Sequence, residues 1–215
     1  MGEPDDDAKT AKLAAGGAPP RPGEAEGARV MGKVGLWRRC LFGLSGWLPC
    51  RCIGRDGPYL ERYFLFRVPR WVPLVGGWQG YLHRFLDSDS DEGLHDHPWY
   101  LAISLLLAGR YIEERMQNLV TGVRVRRTGS VAVIRATDFH RVVMPDDQRE
   151  AWTLFLHGPY RKRWGFLKRQ VLGGGTEERQ LLTWVPFAGV AGGGVPWWRK
   201  TPRGRRQPLR VSIHG

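Results

Sequence analysis

Two histidines one residue apart, His95 and His97, stand before a long apolar run in "DEGLHDHPWYLAISLLLAG", residues 91–109. The chain has six histidines in all, so two at this spacing invite a chemical reading. On an extended strand, residues i and i+2 face the same side, which sets two imidazoles side by side. Neutral imidazole is a common ligand of transition metals. A third ligand from another strand would cover one facet of an ion and leave positions open for water, dioxygen or substrate. His140, in "RATDFHRV", is the natural third candidate, because it opens a later strand after a turn-like "ATD". Glu92, Glu113 and Glu114 are alternative carboxylate donors, although Glu113 and Glu114 are expected on a solvated strand end. Any one of these histidines alone reads more readily as a hydrogen-bonded core or surface residue. The three together favour a metal.

A metal site also needs groups that orient substrate. "GPYRKRWGF", 158–166, gathers Tyr160, Arg161, Lys162, Arg163 and Trp164 at a turn. Arginine presents a planar fork suited to carboxylate or phosphate, so Arg161 or Arg163 could hold an anionic substrate; the competing reading is an ordinary basic turn. Trp99 follows the histidine pair and could wall the pocket. His83, in "YLHRFL", is a candidate second donor behind the site, an alternative ligand, or a packed interior histidine. Asp96 and Asp138 each neighbour a candidate ligand and could orient an imidazole. Adjacent strand residues point to opposite faces, however, which favours turn or surface roles for both. His157 ends the strand-like "AWTLFLHG" and could line a barrel mouth.

The elements that must position these residues read as strands. "YLERYFLFRV", "WQGYLHRFL", "TGVRVRRTG", "SVAVIRA", "FHRVVM", "AWTLFLHG" and "RWGFLKR" are short, aromatic or β-branched, and separated by turn residues. Such segments at close spacing predict an all-β sandwich or barrel. Residues 98–117 are ambiguous between an amphipathic helix and a hairpin turning at "AGR". Gly109 would fall inside the helix at a cost of about 1 kcal/mol, and the β-like surroundings favour the hairpin. "VGLWRRCLFGL" predicts a short helix ahead of the strands. Residues 1–30 are rich in Ala, Gly, Pro and acidic groups and are expected to be disordered. The domain then runs over 31–171, and 172–215 reads as a flexible basic tail that could contact nucleic acid.

The net charge of +12 suits an anionic substrate or nucleic acid, or simply a solvated basic surface. Three cysteines argue against a disulfide scaffold and are expected as free thiols. No apolar run is long enough to span a bilayer, and the first thirty residues lack a signal peptide's apolar segment, so a cytoplasmic protein with no membrane contact is expected. Exposed strand edges make a homodimer reasonable.

Order and spacing resemble the cupin superfamily. His95, His97 and Gly109 match its first motif, a His-x-His followed by a Glu and a hairpin Gly. Gly129 and His140 match the second, with "RATDFH" standing where the family often has Pro-x-Gly-x-x-His. Where many cupins carry the glutamate, this chain has Leu101 and Ala102. The missing carboxylate is similar to the three-histidine subset that includes the thiol dioxygenases, and "HDHP" resembles a string found there. "LHDHPW" with "TLFLHGP" and "WGF" looks more like small uncharacterised cupin-like proteins of bacteria and phages. The resemblance implies a double-stranded β-helix, a cupin-like jelly roll, completed by the strands in 59–86 and 151–168. It also implies one divalent transition metal on His95, His97 and His140, Fe(II) favoured and Zn, Mn or Ni as alternatives. The implied activity is that of a non-haem Fe(II) oxygenase acting on a small anionic or thiol substrate. A non-oxidative metal-dependent isomerase, epimerase or lyase, and a non-catalytic binding protein with a nucleic-acid-contacting tail, are the competing readings.

Overall fold

A computed structural model describes residues 35–54, 57–89, 93–117, 120–172, 179–187 and 197–213. The expected disorder of 1–30 and the candidate donor Glu92 lie outside them. One helix, α1 (Leu36–Ser45), precedes the strands β1 (Cys50–Ile53), β2 (Leu60–Arg67), β3 (Gln79–Phe85), β4 (Leu94–His95), β5 (Leu101–Ala108) and β6 (Arg110–Gln117). There follow β7 (Val120–Arg127), β8 (Val131–Arg135), β9 (Phe139–Val143), β10 (Ala151–His157), β11 (Gly165–Leu172) and β12 (Arg179–Pro186). Alternating burial explains why these stretches are strands: Ala102, Ser104, Leu106 and Ala108 of β5 are buried and their neighbours half-buried, the period of two that a pleated sheet requires.

The strands form two six-stranded antiparallel sheets, β1-β2-β3-β10-β5-β8 and β12-β11-β4-β9-β6-β7. Within them the orders β3-β10-β5-β8 and β4-β9-β6-β7 are those of an eight-stranded jelly roll, in which the chain from β3 to β10 changes sheets at each step except the β6–β7 hairpin. The fold is therefore a cupin-like double-stranded β-helix. Leu60, Phe85, Leu106 and Ala151 of the first sheet meet Tyr111 and Val142 of the second in one core cluster. Burial of each large apolar side chain there stabilises by about 1.5–3 kcal/mol.

Residues 98–117 hold two strands, not a helix, but they do not form the expected hairpin: β5 pairs with β10 and β8 in the first sheet and β6 with β7 and β9 in the second, so the chain changes sheets at Gly109. Gly109 turns the chain at φ +84°, where a Cβ would lie 2.6 Å from the carbonyl oxygen of Glu150. Both the backbone angle and the close approach demand glycine.

The first sheet is covered on its outer face as well, which is why every residue of β3 is buried. Leu41 of α1 packs with Tyr63, Leu82 and Trp152. The C-terminal segment closes over the same face. Arg210 donates to the carbonyl of Phe42 at 2.6 Å, to Ser45 Oγ at 2.7 Å and to Tyr63 Oη at 2.9 Å. Within 172–215, expected as a flexible basic tail, the described residues are 172, 179–187 and 197–213. "LLTWVP" is a strand that pairs with β11 from Gly165↔Pro186 to Leu172↔Arg179. Arg210, read as part of a free basic arm, is fixed by stacking 3.6 Å over the Phe42 ring and by backbone and hydroxyl acceptors. Among the described residues, no helix is long and apolar enough to cross a membrane.

Candidate metal centre

The two-residue strand β4 presents His95 to the interior, and the register pairs it directly with His140 on β9. Gly93, at φ +105°, admits the chain to β4 where a Cβ would lie 2.8 Å from the carbonyl oxygen of Leu167. His97 follows two residues on, facing the same side as the spacing predicts. The three side chains each offer one nitrogen, and these lie within 4.8 Å of one another. Their ring centroids are 4.9, 5.1 and 5.0 Å apart for 95–97, 95–140 and 97–140. The distant third histidine of the sequence thus arrives at the first two because the jelly roll sets β4 beside β9.

His97 Nε2 and His140 Nε2 face each other at 2.7 Å. Two nitrogens bound about 2.1 Å from one ion at a right angle would lie about 3 Å apart, so this pair already has the span of a shared cation. Burial, then the neighbouring His140 charge, holds His95 down to about 3. Burial followed by the charges of His95 and His140 holds His97 well below the ordinary imidazole range. Neutral imidazoles with free lone pairs are the form that binds metal.

Behind His140 stands Glu113, whose Oε1 lies 3.1 Å from His140 Nδ1. A proton on Nδ1 donated to this carboxylate leaves the Nε2 lone pair facing His97, the arrangement that orients metal-bound histidines. Glu113 is itself clamped by Arg115 at 2.8 Å and Arg126 at 2.5 Å. Burial alone would raise its carboxyl. The hydrogen bond and charge of His140, and then the two arginines, bring it to about 2. Glu113 is only 1% exposed, which corrects its expected place on a solvated strand end; Glu114 does point the other way, to Arg141 at 2.7 Å. Parity was the missed signal: in "YIEERM", Tyr111, Glu113 and Arg115 share a face, and Tyr111 belongs in the core.

Trp99 is buried and lies flat against His97 at 4.6 Å and against His157 at 4.3 Å. Trp164 and Phe166 approach His95 edge-on at 6.2 and 6.1 Å. Tyr160 sits at the rim, 6.2 Å from Trp99 and 5.9 Å from His157. Arg161 and Arg163 are exposed, and neither guanidinium carries a hydrogen bond or ion pair among the described residues.

Three residues expected behind the ligands hold other partners. His83 is buried, accepts from Arg62 Nε at 3.1 Å and stacks on Phe155 at 4.8 Å. Asp96 accepts from the Gly165 N–H at 2.7 Å and from Lys162, tying the basic turn to the histidine strand. Asp138 accepts from the Arg135 N–H at 2.8 Å and pairs with Arg115 at 3.5 Å. It reaches His140 only through Arg115 and Glu113. Alternation accounts for Asp96, which lies between the two ligands and faces away from them, and the turn before β9 accounts for Asp138.

No protein-family profile matches the chain, and no curated protein matches it. Solved structures with a similar fold include a cupin-2 domain from Rhodospirillum rubrum, 13% identical, TM-score 0.44, covering 56% of this chain and 76% of that one. Another is KdgF from Halomonas sp., 15% identical, TM-score 0.38, covering 50% and 87%. A third is Fe(II)-HppE with the alternative substrate (S)-1-HPP, 13% identical, TM-score 0.42, covering 53% and 57%. This chain thus matches a little over half the length of the HppE chain. The class is defined by strand order and site together: a cupin-like jelly roll with three converging histidines.

Proposed function

We propose that the chain is a metal-dependent enzyme whose ion is held by His95, His97 and His140. The observation that carries this reading is the set of three imidazole nitrogens within 4.8 Å, one ring backed by a buried carboxylate. His97 Nε2 and His140 Nε2 face each other at 2.7 Å, a spacing that an N–H···N hydrogen bond fills in the absence of an ion and that a shared cation would fill in its place.

Three neutral ligands leave the full charge on the ion and suit Fe(II), with Zn, Mn or Ni as alternatives. When bound, such an ion supplies a Lewis-acidic centre with open positions for substrate and dioxygen. The chain's own residues do the rest. Glu113 fixes the His140 tautomer, Trp99 and Trp164 exclude water from two sides, and Ala102 leaves space where many cupins carry a glutamate.

We favour a non-haem Fe(II) oxygenase acting on a small anionic or thiol substrate. The test is oxygen uptake by Fe(II)-loaded protein offered small thiols and small organic acids. Uptake that depends on substrate and disappears in His97→Ala supports the oxygenase. Turnover of a substrate with no oxygen consumed would place the chain among metal-dependent isomerases or lyases instead.

A further inference from the structure

Charge compensation inside the barrel is uneven. Arg115 pairs with Glu113 and Asp138, Arg126 with Glu113, and Arg84 with Glu150 and Glu61. Arg62, on the inward parity of β2 with Leu60 and Phe64, is different. Its Nε donates to a neutral imidazole, His83, and its guanidinium lies 5.5 Å over the Tyr81 ring. No carboxylate pairs with it among the described residues. Asp89 stands near enough to feel the Arg62 charge, but its Oδ2 accepts from the Val142 N–H at 2.7 Å. Glu61 and Arg84 occupy the opposite face of the first sheet.

The surroundings are an aromatic interior shared with the histidine triad. Tyr81 stacks on His157 at 5.4 Å, His157 on Trp99, and Trp99 on His97, so Arg62 and the histidine triad line one continuous aromatic wall. Trp99 Nε1 is a buried donor with no acceptor. Burial and the Arg62 charge keep His83 and His157 neutral, so neither offers a negative partner. A half-buried guanidinium with its terminal N–H groups unpaired, on the same aromatic wall as a second unpaired donor, calls for an oxyanion.

We propose that Arg62 is the substrate-recognition residue of this interior and that the substrate carries an oxyanion, a carboxylate or phosphonate-type group, which the guanidinium grips. The inference rests on the catalytic reading above, and it moves the anion site from the exposed turn at Arg161 and Arg163 to the interior.

The test uses full-length, metal-free protein at low salt, titrated calorimetrically with propionate and with methylphosphonate. Saturable binding of either is expected, weakened at least tenfold in Arg62→Met and within twofold of wild type in the double variant Arg161→Gln/Arg163→Gln. Whichever probe binds tighter assigns the carboxylate or the phosphonate. Equal binding by Arg62→Met, loss of binding in the double variant, or no saturable binding to wild type overturns the proposal. Should Arg62→Met fail to fold, wild-type protein is treated with phenylglyoxal and its arginines followed by peptide mass spectrometry. The bound anion should slow modification of Arg62 at least fivefold and leave Arg161 unchanged; an unchanged Arg62 rate overturns the proposal. Because binding is read without metal, absence of an ion on the triad would defeat the metal reading and leave this result standing.

Discussion

His83 and Arg84 are neighbours on β3, both buried, and they face two different polar clusters. Arg84 points outward beneath α1 and the C-terminal segment. There it donates to Glu150 at 2.6 Å, to Glu61 at 3.1 Å and to the carbonyl of Val211 at 2.6 Å. Tyr63 Oη donates to Glu61 at 2.5 Å and accepts from Arg210 at 2.9 Å. Acids and bases answer each other, and the cluster closes the wall. His83 points inward among neutral imidazoles and an uncompensated Arg62. The difference separates architecture from chemistry: a satisfied buried cluster binds the chain to itself, and an under-satisfied one waits for a ligand.

The comparison breaks most visibly at the satisfied cluster. Arg84→Met strands two buried carboxylates and should destabilise by about 3–5 kcal/mol in urea unfolding, with the metal content per folded chain unchanged. Loss of metal from folded Arg84→Met would show that the two clusters are not separate. The next effect belongs to the inner cluster. Glu113→Gln weakens the orienting bond to His140, so metal affinity should fall about 10–100-fold in a chelator competition. Wild-type affinity in that variant would leave Glu113 a structural residue only.

Acid distinguishes the clusters a third way. Burial holds His157 down to about 4 and His83 well below its ordinary value in the folded protein. The unfolded chain takes up these protons near pH 6.5, so it binds more protons below that point. Stability from this source is intact above pH 6.5 and is lost as the pH falls, by up to about 1.4 kcal/mol per unit for each imidazole. Metal-free protein followed by thermal melting from pH 7 to pH 5 should show the decline, and His157→Phe should flatten it. The smallest expected effect lies at the β5–β6 corner: Gly109→Ala forces a side chain into positive φ and toward the Glu150 carbonyl, costing at least about 1 kcal/mol in the same assay.

Much of this was legible in the chain. Spacing put His95 and His97 on one face, and the turn before His140 marked a strand start. Short β-branched runs gave the sheet class, and the glycine at 109 separated two strands from a helix, though not the sheet change between them. What stayed hidden was long-range. Arg62 sits on a strand whose inward parity becomes certain only when both sheets are in place, because β2 carries a charged residue on each face, Glu61 on one and Arg62 on the other. Arg210 reads as free charge until α1 offers it the Phe42 ring and two oxygen acceptors. The pairing of β4 with β9 joins residues forty-five apart, beyond any local pattern.

The most direct measurement is elemental analysis of protein loaded anaerobically with Fe(II) and freed of excess metal. The account predicts about one ion per chain, the count a single triad holds, lost in His140→Ala and kept in His83→Ala. Protein that retains no ion under these conditions, or a His140→Ala variant that binds as well as wild type, would contradict it.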